Sequence, residues 1–114
     1  MNASSGCLFC RIVAGEVGSR IHDDDLVVAF ADIHPQAPQH ILVVPREHIA
    51  SLSGLGPQHA PVAGRLLTTA AQLAAGKGLT DYRVVINCGA GAGQSVFHLH
   101  LHLLGGRPFH WPPG

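Results

Sequence analysis

Residues 94–104 read QSVFHLHLHLL, with histidine at every second position, His98, His100 and His102, and Val96, Leu99, Leu101 and Leu103 among them. Successive side chains of a β-strand point to opposite faces with a repeat of two residues. A strand over 96–104 therefore lines one face with leucine and the other with imidazole. At a rise of about 3.3 Å per residue, alternate rings stand roughly 7 Å apart. Three rings so spaced do not all reach one tetrahedral zinc at about 2 Å without bending the strand. The spacing suits a row of hydrogen-bonding imidazoles, in which one ring does chemistry and its neighbours orient it. His40, at the start of a neighbouring strand, offers a fourth ring.

Working outward, RVVIN (83–87) is the strand before the ladder, joined to it by the glycine-rich CGAGAGQS. Residues 57–76 place Val62, Leu66, Ala70 and Leu73 at about 3.6-residue spacing, which predicts one long amphipathic helix closed by Gly76. HILVV (40–44) is a strand ended by Pro45, and RIHDDDLVVAFAD gives two short strands around an acidic turn at Asp23–Asp25, the second over 26–31. CLFCRIVAG (7–15) carries Leu8, Phe9, Ile12 and Val13 at helical spacing and stops at Gly15. The order is helix, three strands, helix, two strands. It predicts an α+β fold: an antiparallel five-stranded sheet with one long and one short helix. The tail RPFHWPPG holds three prolines and reads as extended chain.

The chain has 114 residues, enough for one domain, and 46% of them are hydrophobic. Seven basic residues balance seven acidic ones with no basic cluster, which argues against nucleic-acid partners. No run approaches the roughly 18 apolar residues of a membrane span. MNASSGC lacks the charged and apolar regions of a secretory leader. The expectation is a cytoplasmic protein, its three cysteines reduced or metal-bound.

Three further features carry chemistry. GAGAGQS (89–95) either cradles phosphate with backbone N–H groups or makes an ordinary glycine turn; Gln94 and Ser95 add neutral donors. The Cys7–Cys10 pair of CLFC reads as two zinc ligands, with His48, His59 and His98 as candidates for the rest, or as an unmetallated or redox pair. Cys88 reads as a small buried residue at a strand end. Asp32 either accepts the hydroxyls of a diol such as ribose or caps a turn.

Taken together, AFADIHPQAPQHILVVPREHI (29–49), the loop 89–95, HLHLHLLGGR (98–107) and the terminal HWPPG resemble the histidine triad superfamily of nucleotide hydrolases and transferases. Within it the chain is similar to the branch of purine nucleoside phosphoramidases. The resemblance implies one histidine triad domain over 7–114, with the motif at 98–102 and an extended tail at 107–114. It implies that His100 attacks the α-phosphorus and carries a nucleotidyl intermediate, that His40 and His102 orient and polarise the site, and that Ser95 and the triad histidines, His98 included, assist the leaving amine. By the same resemblance Asn87, Gly93, Gln94, Ser95 and Val96 hold the phosphate and Asp32 the ribose. Leu8, Phe9, Ile12, Phe30, Ile33 and Leu42 would wall the purine, and Trp111 would reach a partner's site in a homodimer. No cofactor is required for the chemistry, but a structural zinc on Cys7, Cys10, His48 and His98 is implied by bacterial relatives. Relatives of the animal type carry histidine before the ribose aspartate, where this chain has Ala31. The implied activity is cleavage of purine nucleoside 5′-phosphoramidates to monophosphate and amine. The alternatives are a dinucleoside polyphosphate hydrolase, against which the HWPPG tail argues, and a zinc-stabilised nucleotide-binding scaffold.

Overall fold

The alternation of histidine and leucine persists in the folded chain, but the ladder it implied is shorter. The computed structural model describes residues 6–114, and the reading of the extreme amino terminus falls largely outside them. The chain runs α1 (Leu8–Val13), β1 (His22–Asp23), β2 (Val27–Ala31), β3 (Gln39–Pro45), α2 (Ala60–Gly76), β4 (Tyr82–Val85) and β5 (Leu101–Gly105). The strands form one antiparallel sheet in the order β1-β2-β3-β5-β4. This is the architecture expected from the sequence.

The strand expected over 96–104 begins only at Leu101. Its partner explains this: Leu101 pairs with Val43, so Leu99 would face Pro45, which has no N–H to give. The chain finds other partners instead. Leu99 N donates to Ile49 O at 2.6 Å, and the Pro45 carbonyl accepts from His98 Nε2 at 2.8 Å. The two faces nonetheless continue through the irregular segment.

On one face Leu99, Leu101 and Leu103 join Val27, Ala29, Ile41 and Val43 beneath α2, which contributes Val62, Leu66, Ala70 and Ala74. Those four helix positions recur every fourth residue and so form one stripe. Burying a side chain such as Leu66 contributes about 1.5–3 kcal/mol. On the other face Val28, Phe30, Leu42 and Val44 pack against Phe9, Ile12 and Val13 of α1. His40 and His102 share this face, since His102 pairs with Leu42 and His40 with Leu104.

Turns set the remaining boundaries. Asp24 Oδ1 accepts from Leu26 N at 2.8 Å and Val27 N at 2.9 Å, which closes the acidic turn and leaves β1 only two residues long. α2 is preceded by a 3₁₀ turn at Pro57–His59, where His59 Nδ1 accepts from Gly56 N at 2.9 Å. β4 ends at Val85, so Cys88 lies beyond the sheet and is exposed, not buried as its sequence context predicted. Its thiol is drawn down from the usual range by the Ser53 backbone amide and by the Ser53 and Ser51 hydroxyls. The tail 107–114 forms no helix or strand. Phe109 anchors it, stacked 4.3 Å from the Arg107 guanidinium and 5.2 Å from that of Arg83, while Arg83 donates to the His110 carbonyl. Among the described residues no helix is long and apolar enough to cross a membrane.

Candidate active site

A cleft of about 460 Å³ opens on the α1 face of the sheet. Its wall includes Leu8, Phe9, Ile12, Phe30, Ile33 and Leu42, all six residues expected to enclose a purine, together with Asp32, Ser95, Val96, His100 and His102. The sequence reading missed Gly18, Ser19 and His34, which also line it. Gly18 and Ser19 sit in the connection between α1 and β1, where no periodic signal marks them. His34 sits in the proline loop after Asp32.

Hydrogen bonds to the main chain fix the imidazole tautomers. His100 Nδ1 lies 2.8 Å from the His98 carbonyl, so the proton is on Nδ1 and the Nε2 lone pair is free. Gln36 N donates to His40 Nδ1 at 3.0 Å, so His40 carries its proton on Nε2 and donates to His102 Nδ1 at 2.9 Å. His102 must then hold its proton on Nε2, and that atom is buried without a protein partner in a ring lining the cleft. A buried unsatisfied donor costs about 1–3 kcal/mol. Aimed at a bound phosphoryl oxygen, it would be satisfied. The His100 and His102 centroids stand 4.9 Å apart, closer than an ideal strand would set them.

Burial disfavours a charge on His102 and His40. Burial lowers the pKa of His102 to about 4, helped by the neighbouring His100 and His40 and opposed by Asp32. Burial likewise lowers His40, again against Asp32, whose Oδ2 lies 3.5 Å from His40 Nε2. Asp32 Oδ1 accepts from His34 N at 2.8 Å, so the carboxylate caps its turn and also faces the cleft.

The glycine loop is braced from behind. Gln94 is buried: its Oε1 accepts from Gly89 N at 2.9 Å, and its Nε2 donates to Ala50 O at 2.8 Å and Val96 O at 3.0 Å. That amide is committed to the backbone and does not face the cleft. Gly93 holds φ +98, a conformation that glycine alone adopts freely, and lies beside the Asn87 amide. Neither Asn87 nor Gly93 lines the cleft; Ser95 and Val96 do. Trp111 is 84% exposed and apart from it.

His98 turns away from the cleft. It is fully buried, and its Nδ1 stands 3.5 Å from Cys7 Sγ and 3.3 Å from Cys10 Sγ. Cys10 Sγ lies 3.1 Å from His48 Nδ1, and all four donor atoms fall within 4.8 Å of one another. Donors held 2.0–2.3 Å from one tetrahedral zinc stand roughly 3.3–3.8 Å apart, so the set fits that ion. The His98 Nε2 proton on Pro45 O leaves Nδ1 free to ligate, as oriented metal-binding histidines require. Burial pushes the Cys10 thiol up to about 12, with Cys7 adding to the rise, and a divalent cation between the sulfurs reverses that preference. His59, the other candidate, instead faces Glu47 at 3.3 Å.

Known proteins of this form are numerous. The HIT domain family matches residues 16–109. A HIT-like protein of Synechocystis sp. is 49% identical over 94% of this chain and 96% of its own. A 14 kDa zinc-binding protein of Zea mays is 45% identical, with coverage of 96% and 89%. An adenylylsulfatase of Arabidopsis thaliana is 44% identical, with coverage of 98% and 79%. Among solved structures, a HIT family hydrolase from Legionella pneumophila superposes with a TM-score of 0.92 at 44% identity, covering 95% of this chain and 99% of that one. A zinc-bound histidine triad protein from Mycobacterium smegmatis does so at 0.81 and 29% identity, covering 98% and 82%.

Proposed function

Since the chain belongs to the HIT domain family, whose hydrolases share its fold, we propose that it cleaves the P–N bond of purine nucleoside 5′-phosphoramidates through a nucleotidyl-His100 intermediate. The observation that carries this reading is His100 itself, its Nδ1 proton held by the His98 carbonyl and its Nε2 lone pair free beside the cleft. The purine would lie among Phe9, Ile12, Phe30 and Leu42, with the ribose hydroxyls on Asp32. The α-phosphoryl group would then rest between Ser95, Val96 and the His102 Nε2 proton.

In the first step His100 Nε2 forms a bond to phosphorus as the P–N bond to the amine breaks. The amine leaves with a proton passed from solvent through the exposed Ser95 hydroxyl, while the neutral His102 ring keeps its Nε2 proton on the phosphoryl oxygen and His40 holds that ring in place. Water then displaces His100 and releases the monophosphate. Zinc on Cys7, Cys10, His48 and His98 would tie α1 to the sheet, and it takes no part in these steps.

A second reading has specific support. The Arabidopsis relative is an adenylylsulfatase, and adenylyl sulfate offers the same nucleophile an α-phosphorus whose leaving group needs no proton. The deciding experiment incubates the protein with adenosine 5′-phosphoramidate and, separately, adenylyl sulfate, and follows AMP release. Faster turnover of the phosphoramidate supports P–N hydrolysis; exclusive turnover of adenylyl sulfate favours the second reading. Failure on both refutes hydrolysis of either kind.

We also infer a two-fold dimer. β4 is an edge strand whose Tyr82 and Val84 are 41% and 38% exposed, and Leu67 of α2 is 58% exposed. Uncovered edge strands with apolar side chains invite pairing with a second copy.

A further inference from the structure

Cys7 and Cys10 bracket Leu8 and Phe9, both of which wall the nucleotide cleft. Phe9 meets His100 edge-on at 5.1 Å between centroids and His98 at 6.2 Å. His98 belongs to two places at once. Its Nδ1 lies among the two sulfurs and His48, while its own carbonyl oxygen holds the His100 Nδ1 proton at 2.8 Å. His48 stands edge-on to His98 at 5.0 Å and lines no part of the cleft.

We propose that the Cys7–Cys10–His48–His98 cluster, loaded with a metal ion, positions the nucleophile and the base wall, with His98 as the shared residue. Resting on the hydrolase reading above, the inference adds a role for a site that otherwise only tethers α1. The two tautomers of an imidazole differ little in energy, so the one carbonyl that accepts from His100 decides which nitrogen is free to attack. That carbonyl is held through its own peptide, whose Leu99 N–H donates to Ile49 next to His48, and through the His98 ring, which Pro45 fixes on one nitrogen and the cluster on the other. Release of the ion frees the second anchor. Part of the His100 population then carries its proton on Nε2, where it cannot attack, and Phe9 loses its brace on either side. His48 is thus a positioning residue for a reaction whose atoms it never touches.

The test compares zinc-loaded wild type, metal-free wild type, His48→Ala and His48→Cys. Zinc content, the His100 ring-nitrogen shifts by nitrogen-15 NMR, AMP affinity by calorimetry, and kcat and KM are measured on each. Zinc-loaded wild type is expected to show His100 in one tautomer, protonated on Nδ1. The metal-free protein and His48→Ala are expected to show a mixture, with weaker AMP binding and kcat lower by about tenfold, the lower end for residues that support a metal site. His48→Cys restores a fourth ligand and is expected to recover zinc, the single tautomer and most of kcat. If metal removal or the alanine variant unfolds the chain, His48→Cys against zinc-loaded wild type carries the test. The proposal is overturned if tautomer and AMP affinity are the same with and without zinc, or if His48→Cys binds zinc yet shows a mixed tautomer and a tenfold loss. Absence of turnover by zinc-loaded wild type would instead sink the hydrolase reading, and the tautomer and AMP measurements would still decide this one.

Discussion

His100 is the one ring of the row with a free nitrogen at the cleft and a carbonyl holding the other. Replacing it with alanine removes the proposed nucleophile but little of the cleft surface. Turnover should fall by about three orders of magnitude or more while AMP affinity changes little, because the loss strikes the chemical step alone. Single-turnover kinetics and calorimetry would check both halves. A second residue-scale prediction concerns His102, whose pKa burial lowers from 6.5 to about 4. Between those values the unfolded chain binds a proton that the folded chain refuses, so stability rises with pH there and is lost as pH falls. The loss on acidification from neutral to pH 4 should be on the order of 3 kcal/mol, the lowered His40 adding to it. Urea melts of wild type and His102→Gln across that range would test it, and parallel curves for the two proteins would contradict it.

Among elements, the glycine loop between β4 and β5 owes its shape to Gln94, which bridges Gly89, Ala50 and Val96. Gln94→Ala removes all three hydrogen bonds and should cost about 1–3 kcal/mol for each backbone group that water cannot then reach. Its effect on the reaction should appear as a raised KM, since Ser95 and Val96 lose their support. A melting temperature and KM unchanged from wild type would argue against this role. Neither the bracing nor the true start of β5 was legible in the sequence. Alternation reports which face a side chain takes, and that was right for His98 through Leu103. It does not report whether a ladder forms, which depended on Pro45 lying opposite Leu99. For the same reason the ring of His98 could be placed beside His100 on paper. In the structure its rotation toward the sulfurs separates the two.

For the molecule as a whole, the antiparallel five-stranded sheet and both helices could be read from periodicity, because burial on two faces leaves each strand one register, while the six apolar residues that line the cleft came from the family resemblance. Contacts made by loops could not, as Gly18, Ser19 and the exposed Cys88 show. The candidate metal cluster joins α1 to the segment after β3 and the segment before β5, so zinc at 100 times its Kd should add about 2.7 kcal/mol to stability. Chelation should lower the melting temperature accordingly, and metal analysis finding no zinc in protein purified without chelator would count against the cluster. Self-association belongs to this scale too. Light scattering should give a dimer, disrupted by Tyr82→Glu and Val84→Glu at the β4 edge. Deleting residues 107–114 removes the exposed Trp111 and should alter the ranking of amine leaving groups more than AMP affinity. A monomer at working concentration would overturn both expectations.

The most direct measurement traps the covalent intermediate. Protein mixed briefly with adenosine 5′-phosphoramidate is quenched in alkali, which preserves a phosphorus–nitrogen bond to histidine, and its peptides are weighed. The account predicts one adenylyl group on the peptide spanning residues 98–102, attached at His100 and absent from His100→Ala. Turnover without any adenylylated peptide, or with the label on another histidine, would contradict it.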